Sequence, residues 1–195
     1  DHEYSIFLAD ISGHGIGAAM YMNTLRMVYD RSQEYLHHPG KLFRKMNETL
    51  YGKLGDNFIT GICIHLHLKK KQLKYSSAGH PDCFLIQDVD GRRKTRMLRP
   101  NGRVLGIFEK SEFPESTIPL TSRNRLLVYT DGASEASSED DSFLTERGLL
   151  KLFRNLLPSQ TKEALQEVQR RLANFRGKKR AEDDTTMILA DIFPD

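Results

Sequence analysis

FITGICIHLHLKKKQLKYSSAGHPDCFLI, residues 58 to 86, is the stretch whose reading decides the fold class. Between Phe58 and Leu68 apolar residues recur with a period of two. Phe58, Ile62, Ile64, Leu66 and Leu68 lie on one side, and Cys63, His65 and His67 on the other, which predicts a strand with one wetter face. Lys69 to Gln72 read as a turn, Leu73 to Ala78 as a second strand, and Cys83 to Ile86, after Pro81, as a third. Consecutive strands joined so briefly are expected to run antiparallel. The histidines His65 and His67 share one strand face as a metal pair would, but a half-wet face explains them better.

On the N-terminal side, YSIFLAD, residues 4 to 10, is a short apolar run that ends in an acid and predicts a buried strand. The turn Ser12-Gly13-His14-Gly15 follows. From Gly17 to about Leu36 the spacing of Ala18, Met22, Leu25 and Tyr29, with Ala19 and Met20 beside them, predicts one face of a helix. Pro39 sits where a first-turn proline is tolerated, and Leu42, Phe43, Met46, Leu50 and Leu54 extend a second helix.

On the C-terminal side, Asp90-Gly91 predicts a hairpin turn into a strand from Arg92 to Leu98. Another strand, Arg125 to Tyr129, ends at Thr130-Asp131-Gly132. Two helices follow. One begins at Thr145 and stops at Pro158, and one is capped by Thr161. A last strand, Thr185 to Ile192, comes after the acidic pair Asp183-Asp184. This order excludes a regular βαβ alternation and predicts an α+β fold of helices on antiparallel sheets.

The 195 residues suit one domain, residues 1–195, with 38% hydrophobic and 28% charged residues, as in a soluble globular protein. No apolar run approaches the roughly 20 residues needed to span a bilayer. Cys63 and Cys83 show no CxxC spacing, so neither a disulfide framework nor zinc is expected, and a reducing cytoplasm fits. The net charge is +3. Its densest runs, Lys69 to Lys71, Arg92 to Lys94 and Lys178 to Arg180, read as solvated loop charge, with no nucleic-acid partner expected. The abrupt start at Asp1 predicts the C-terminal part of a longer regulatory protein, with the domain N-terminally incomplete.

Three acids take similar positions: Asp10 and Asp131 at strand ends and Asp183 at a strand start. Alone, each reads as a turn or capping residue. Brought together, such carboxylates repel unless a cation lies between them, and oxygen donors suit Mg²⁺ or Mn²⁺.

The strings LADISGHGIGAAMYM, FITGICIHL, YSSAGHPDCFLI, LGIF, LLVYTDGASEA and DDTTMIL, in this order over residues 4 to 192, resemble the motifs of the SpoIIE/RsbU-like branch of the PPM metal-dependent protein phosphatases. The resemblance implies a four-layer αββα sandwich of two antiparallel sheets flanked by helices, here lacking its N-terminal strand or strands. It implies two Mn²⁺ or Mg²⁺ ions that activate a bridging hydroxide. Their ligands would be Asp10, the Ile11 backbone carbonyl, Asp131 and Asp183, with Asp184 as the alternate to Asp183. His14 and His80 are the candidate general acids, each also readable as a structural residue.

The implied substrate is a phosphoserine or phosphothreonine on a regulatory protein, by resemblance an anti-sigma-factor antagonist in bacterial partner switching. No membrane contact is expected of the domain, and a homodimer stays open. The family's upstream GGD motif has no counterpart here, so its ligands are assigned to no residue and weakened metal binding is expected. A phosphatase-like module that binds a partner without turnover is the competing reading. A dinucleotide site at Gly13, Gly15 and Gly17 would need a βαβ unit that does not follow.

Overall fold

The computed structural model of the chain describes residues 2–13, 16–154, 160–179 and 183–194. The chain divides into two compact units, Asp1–His80 with Arg99–Leu120 and Pro194–Asp195, and Pro81–Leu98 with Thr121–Phe193.

The first unit is built on an antiparallel sheet of β1 (Glu3–Ile11), β2 (Ile59–His67), β3 (Gln72–Ala78) and β6 (Ser116–Pro119), in the order β1-β2-β3-β6. Helices α1 (Ile16–Ser32) and α2 (Pro39–Leu50) cover one face of it. Leu25 and Val28 of α1 join Leu42, Phe43, Met46 and Leu50 of α2 in a core that also holds Ile11, Ile59 and Cys63 from the strands. Pro39 occupies the first helical turn, as expected.

Two expectations change here. The α1 core face is centred on Leu25, Val28 and Ser32, while Met20 and Met22 are 69% and 56% exposed. The first turns of α1 are apolar all round, so spacing alone does not select the face that packs. The predicted wet face of β2 is covered as well: Cys63 is fully buried and His65 nearly so, because α1 and α2 lie over that side. His65 and His67 are occupied by one carboxylate, Glu3, at 3.4 and 3.2 Å, and Ser5 Oγ lies 3.1 Å from His65 Nδ1. Burial lowers the pKa of His65, against the raising influence of Glu3.

The second unit carries β4 (Cys83–Val89), β5 (Arg92–Leu98), β7 (Asn124–Tyr129) and β8 (Met187–Ile192) in the antiparallel order β5-β4-β7-β8. Asp90 and Gly91 form the expected turn, with φ of 52° and 73°, the paired positive angles of a two-residue hairpin. Helix α3 (Asp131–Ser134) follows β7, and α4 (Thr145–Arg154) and α5 (Thr161–Arg176) lie on the sheet. Phe84, Ile86, Leu127 and Tyr129 meet Leu149, Phe153, Ala164, Val168 and Leu172 there. Burial pushes the Cys83 thiol up to about 12, and likewise Cys63 in the first unit; both are free cysteines.

Local corrections follow in this unit. Thr161 is the first helical residue of α5 and its hydroxyl donates to Asp191, so it does not cap the helix. Arg92 to Lys94 lie on β5, not in a loop. Pro158 and Arg180 lie outside the described residues. Both units together give the α+β class expected, with two antiparallel four-stranded sheets and their helices.

Candidate functional site

Asp10 is the next-to-last residue of β1, opposite Thr60, and Ile11, which ends the strand, stands opposite Ile59. Directly opposed residues of an antiparallel pair project to the same face, so Asp10 and Thr60 are side-chain neighbours. The Thr60 hydroxyl lies 3.2 Å from Nδ1 of His80, whose ring is fully buried. Thr60 thus links the buried His80 ring to the strand position beside Asp10. Thr60 was not legible as a site residue, because its importance lies in a contact across 20 residues of chain.

The Ile11 carbonyl can be placed by ladder logic. Ile59 exchanges both of its backbone hydrogen bonds with Leu105, at 3.2 and 2.8 Å, and so turns away from β1. Its partner Ile11 is then in a non-hydrogen-bonded position, which directs its N–H and C=O to the outer edge of β1, the end strand of the sheet. Beyond it, Ser12 N–H donates to the Phe58 carbonyl at 2.9 Å and Phe58 N–H donates to Ser12 Oγ at 2.8 Å. Gly13 turns with φ +85°, an angle that glycine accepts without strain. His14 lies outside the described residues.

In the second unit, the end of β7 and the approach to β8 are stitched by threonines. Thr130 N–H donates to the Thr186 carbonyl at 3.1 Å, and Thr186 N–H donates to Thr130 Oγ1 at 3.0 Å. The Thr130 hydroxyl donates to the Asp184 carbonyl at 3.3 Å, and that of Thr185 to the Gly132 carbonyl at 3.1 Å. A Cβ on Gly132 would lie 2.5 Å from the Asp184 carbonyl oxygen. Glycine is thus what lets the Thr130-Asp131-Gly132 and Asp183-Asp184 segments touch.

Asp131 opens α3 and does not end the strand, and Asp183 precedes β8 by four residues. Both still sit at one corner of the β7–β8 pair. Oδ1 of Asp131 is buried and meets no hydrogen-bond donor among the described residues. A carboxylate oxygen in that state costs free energy unless a cation or water satisfies it. Asp183 Oδ1 accepts the Asp184 N–H at 2.7 Å, which orients the acidic pair. The donors offered by these segments are all oxygens, the set that hard divalent cations take. Among the described residues, no group of three His, Cys, Asp or Glu is arranged to hold a metal ion.

A family model described as Stage II sporulation protein E (SpoIIE) matches residues 1–193. Phosphoserine phosphatase RsbP of Bacillus subtilis (strain 168) is 25% identical over 197 residues, which cover 98% of this chain and 46% of RsbP. The chain thus spans about half the length of that curated relative. The solved SiaA-PP2C domain of Pseudomonas aeruginosa matches with a TM-score of 0.81 at 17% identity, over 100% of this chain and 81% of its own. RsbX in complex with magnesium matches with a TM-score of 0.67 at 17% identity, over 97% of this chain and 81% of its own. These two likenesses show a shared PP2C-type fold. With the match running from the first residues of β1 through the end of β8, the chain belongs to the Stage II sporulation protein E (SpoIIE) family.

Proposed function

We propose that this chain is the catalytic domain, within a longer regulatory protein, of a divalent-metal-dependent phosphatase that hydrolyses phosphoserine or phosphothreonine on a protein. The observation that carries the reading is the buried, unsatisfied Oδ1 of Asp131, held against Asp183 and Asp184 by a contact only glycine permits. Family membership and the phosphoserine phosphatase RsbP among its relatives support the activity. RsbX with magnesium, a structural neighbour, supports a hard divalent cation.

Asp10, the Ile11 carbonyl, Asp131 and Asp183 would hold two Mn²⁺ or Mg²⁺ ions, with Asp184 as the alternate for Asp183. When bound, the ions would acidify a water for attack on phosphorus and offset charge on the phosphoryl oxygens. The chain's own part is positioning. Thr130, Thr185 and Gly132 hold the acid pair against Asp131, and Ser12 holds the turn after Asp10. His80 orients Thr60 beside Asp10, a positioning role. His14 is the remaining candidate to protonate the leaving oxygen.

The substrate proposed is a regulatory phosphoprotein of a partner-switching pathway, by family resemblance an anti-sigma-factor antagonist. No helix among the described residues is long and apolar enough to cross a membrane. A cytoplasmic location and a homodimer are further parts of the proposal. The second reading, a partner-binding module without turnover, is favoured by the lack of a three-ligand group among the described residues.

Hydrolysis of an aryl phosphate with Mn²⁺, by this chain and by the chain extended upstream, separates the two. Turnover that chelator abolishes and that Asp131→Asn lowers by about 100-fold or more supports the enzyme, the scale on which electrostatic groups at such sites act. Equal rates for wild type and Asp131→Asn, or indifference to chelator, would refute the metal mechanism. Calorimetric Mn²⁺ titration of this chain alone tests whether it retains both ions.

A further inference from the structure

A second feature of the Pro81–Leu98 and Thr121–Phe193 unit has no part in the reading above. At the end of β7 opposite Asp131 lies a cavity of about 300 Å³ whose lining includes Gln87, Asp88, Arg93, Arg123, Asn124 and Arg125. We propose that this cavity binds a phosphate group, free or as a phosphoserine side chain, between the guanidinium groups of Arg93 and Arg123.

Strand register makes the arrangement. Asp88 is the β4 partner of Arg93 on β5, and on its other side its N–H donates to the Arg123 carbonyl at 3.0 Å. Neighbouring strands lie about 4.8 Å apart, so the two arginines flank Asp88 across roughly 10 Å of backbone, a gap their long side chains can close on one anion. Arg125, two residues along β7, projects to the same face and pairs with Ile86 in the ladder.

Charge points the same way. Asp191 takes up Arg125 through two hydrogen bonds of 2.6 Å and also accepts from the Thr161 hydroxyl. Asp88 Oδ1 accepts the Gly91 N–H at 3.0 Å. Neither Arg93 nor Arg123 has a carboxylate within ion-pair distance among the described residues. Three guanidinium groups thus meet two carboxylates, Asp88 and Asp191, and one positive charge is left over. Arginine forks suit tetrahedral oxyanions because two parallel N–H bonds match two oxygens.

The backbone that carries these arginines is braced by hydrogen bonds. Thr121 Oγ1 donates to the Arg123 carbonyl at 2.9 Å, and fully buried Asn124 accepts from Thr121 N–H at 3.0 Å and from Gln87 Nε2 at 2.9 Å. On the other side, the Asp90-Gly91 turn fixes β5 to β4. A braced backbone confines the freedom lost on binding to the two arginine side chains. The cavity is six residues from Asp131 along β7, on the order of 15 to 20 Å, so a group held there does not touch the acid corner.

The test is calorimetric titration of the whole chain with inorganic phosphate and, separately, O-phosphoserine, with chelator present and about 0.15 M salt to screen diffuse attraction. Because no metal is present, the outcome does not depend on the hydrolytic reading. We expect binding of at least one probe at about 1 mM or tighter, an energy one arginine-clamped anion can supply. The double variant Arg93→Gln, Arg123→Gln should weaken it roughly tenfold or more while melting at the wild-type temperature. Asp131→Asn should bind as wild type does. Tighter binding of O-phosphoserine would assign the cavity to a phosphorylated protein, and tighter binding of inorganic phosphate to the free anion. Absence of binding by both probes up to about 20 mM, more than tenfold beyond the expected constant, would overturn the proposal. So would affinity unchanged in the arginine double variant, or affinity lost in Asp131→Asn.

Discussion

The two strand ends that carry the candidate ligands are held in different ways. Asp131 and Asp183 sit in a corner bonded by Thr130, Thr185 and Thr186 and packed so closely at Gly132 that a Cβ there would lie 2.5 Å from the Asp184 carbonyl oxygen, with one carboxylate oxygen of Asp131 buried. Asp10 sits half-buried at the end strand of its sheet, where Ser12 and Gly13 shape the turn and the Ile11 carbonyl faces outward. The first arrangement holds a carboxylate oxygen buried with no donor among the described residues, and the second places a half-buried carboxylate at a sheet edge. A buried carboxylate oxygen without a donor is tolerated only where surrounding bonds over-determine the geometry. Substitutions in the corner should therefore show in both stability and metal affinity, and those at the β1 edge chiefly in local order.

The largest effect should come from the far end of the same strand pair. Arg125 and Asp191 form a nearly buried two-point ion pair between β7 and β8, with side chains 3% and 13% exposed. Asp191→Ala removes the carboxylate that faces the buried arginine and should cost about 3–5 kcal/mol in chemical denaturation. The hydrogen bond from Arg125 holds the Asp191 carboxyl below the usual carboxylate range. Its stabilisation is then present above the unfolded Asp value of about 3.9 and is lost as pH falls through the lower folded value. Wild type and Asp191→Ala should converge in stability in acid, and a gap that stays constant to pH 2 would contradict this assignment.

Next comes Gly132→Ala, which drives a methyl group into the Asp184 carbonyl. A loss of about 1–3 kcal/mol is expected, as for overpacking generally, together with loss of Mn²⁺ affinity in calorimetry. Wild-type Mn²⁺ affinity in this variant would break the claimed link between the glycine contact and the site. Asp131→Asn should move stability the other way. Without metal, replacing a carboxylate whose Oδ1 is buried and unsatisfied should raise the melting temperature by about 2–4 °C, equivalent to roughly 1 kcal/mol, and Mn²⁺ should then add nothing. A fall in the metal-free melting temperature would show that Asp131 is satisfied by a donor in solution.

The smallest effect belongs to the β1 edge. Ser12→Ala removes the acceptor of the Phe58 N–H and should cost about 1 kcal/mol. It should speed amide exchange at Phe58 while leaving the Thr130 and Thr186 amides protected. Equal loosening at both places would erase the contrast between the two strand ends.

Much of this was readable along the chain because it depends on local pattern. A period-two run gave β2, the turn after it gave β3, the Asp90-Gly91 pair gave a hairpin, and a first-turn proline with helical spacing gave α2, since each follows from backbone geometry over a few residues. The acids Asp10, Asp131, Asp183 and Asp184 were also legible, through the motifs around them. Strand β6, four residues ending in proline, was not, because its only signal is the partner β3 supplies. The packed face of α1 escaped for the opposite reason, an excess of apolar residues on several faces.

Residue order alone therefore determined the α+β class, the run of helices and antiparallel strands, and which acids to watch. Tertiary structure decided which groups meet: Gly132 against Asp184, Thr60 against His80, Arg125 with Asp191, and Glu3 between His65 and His67. The physical reason is that propensity and period act within a few residues, whereas burial of a polar atom and the partner that satisfies it depend on segments tens of residues apart.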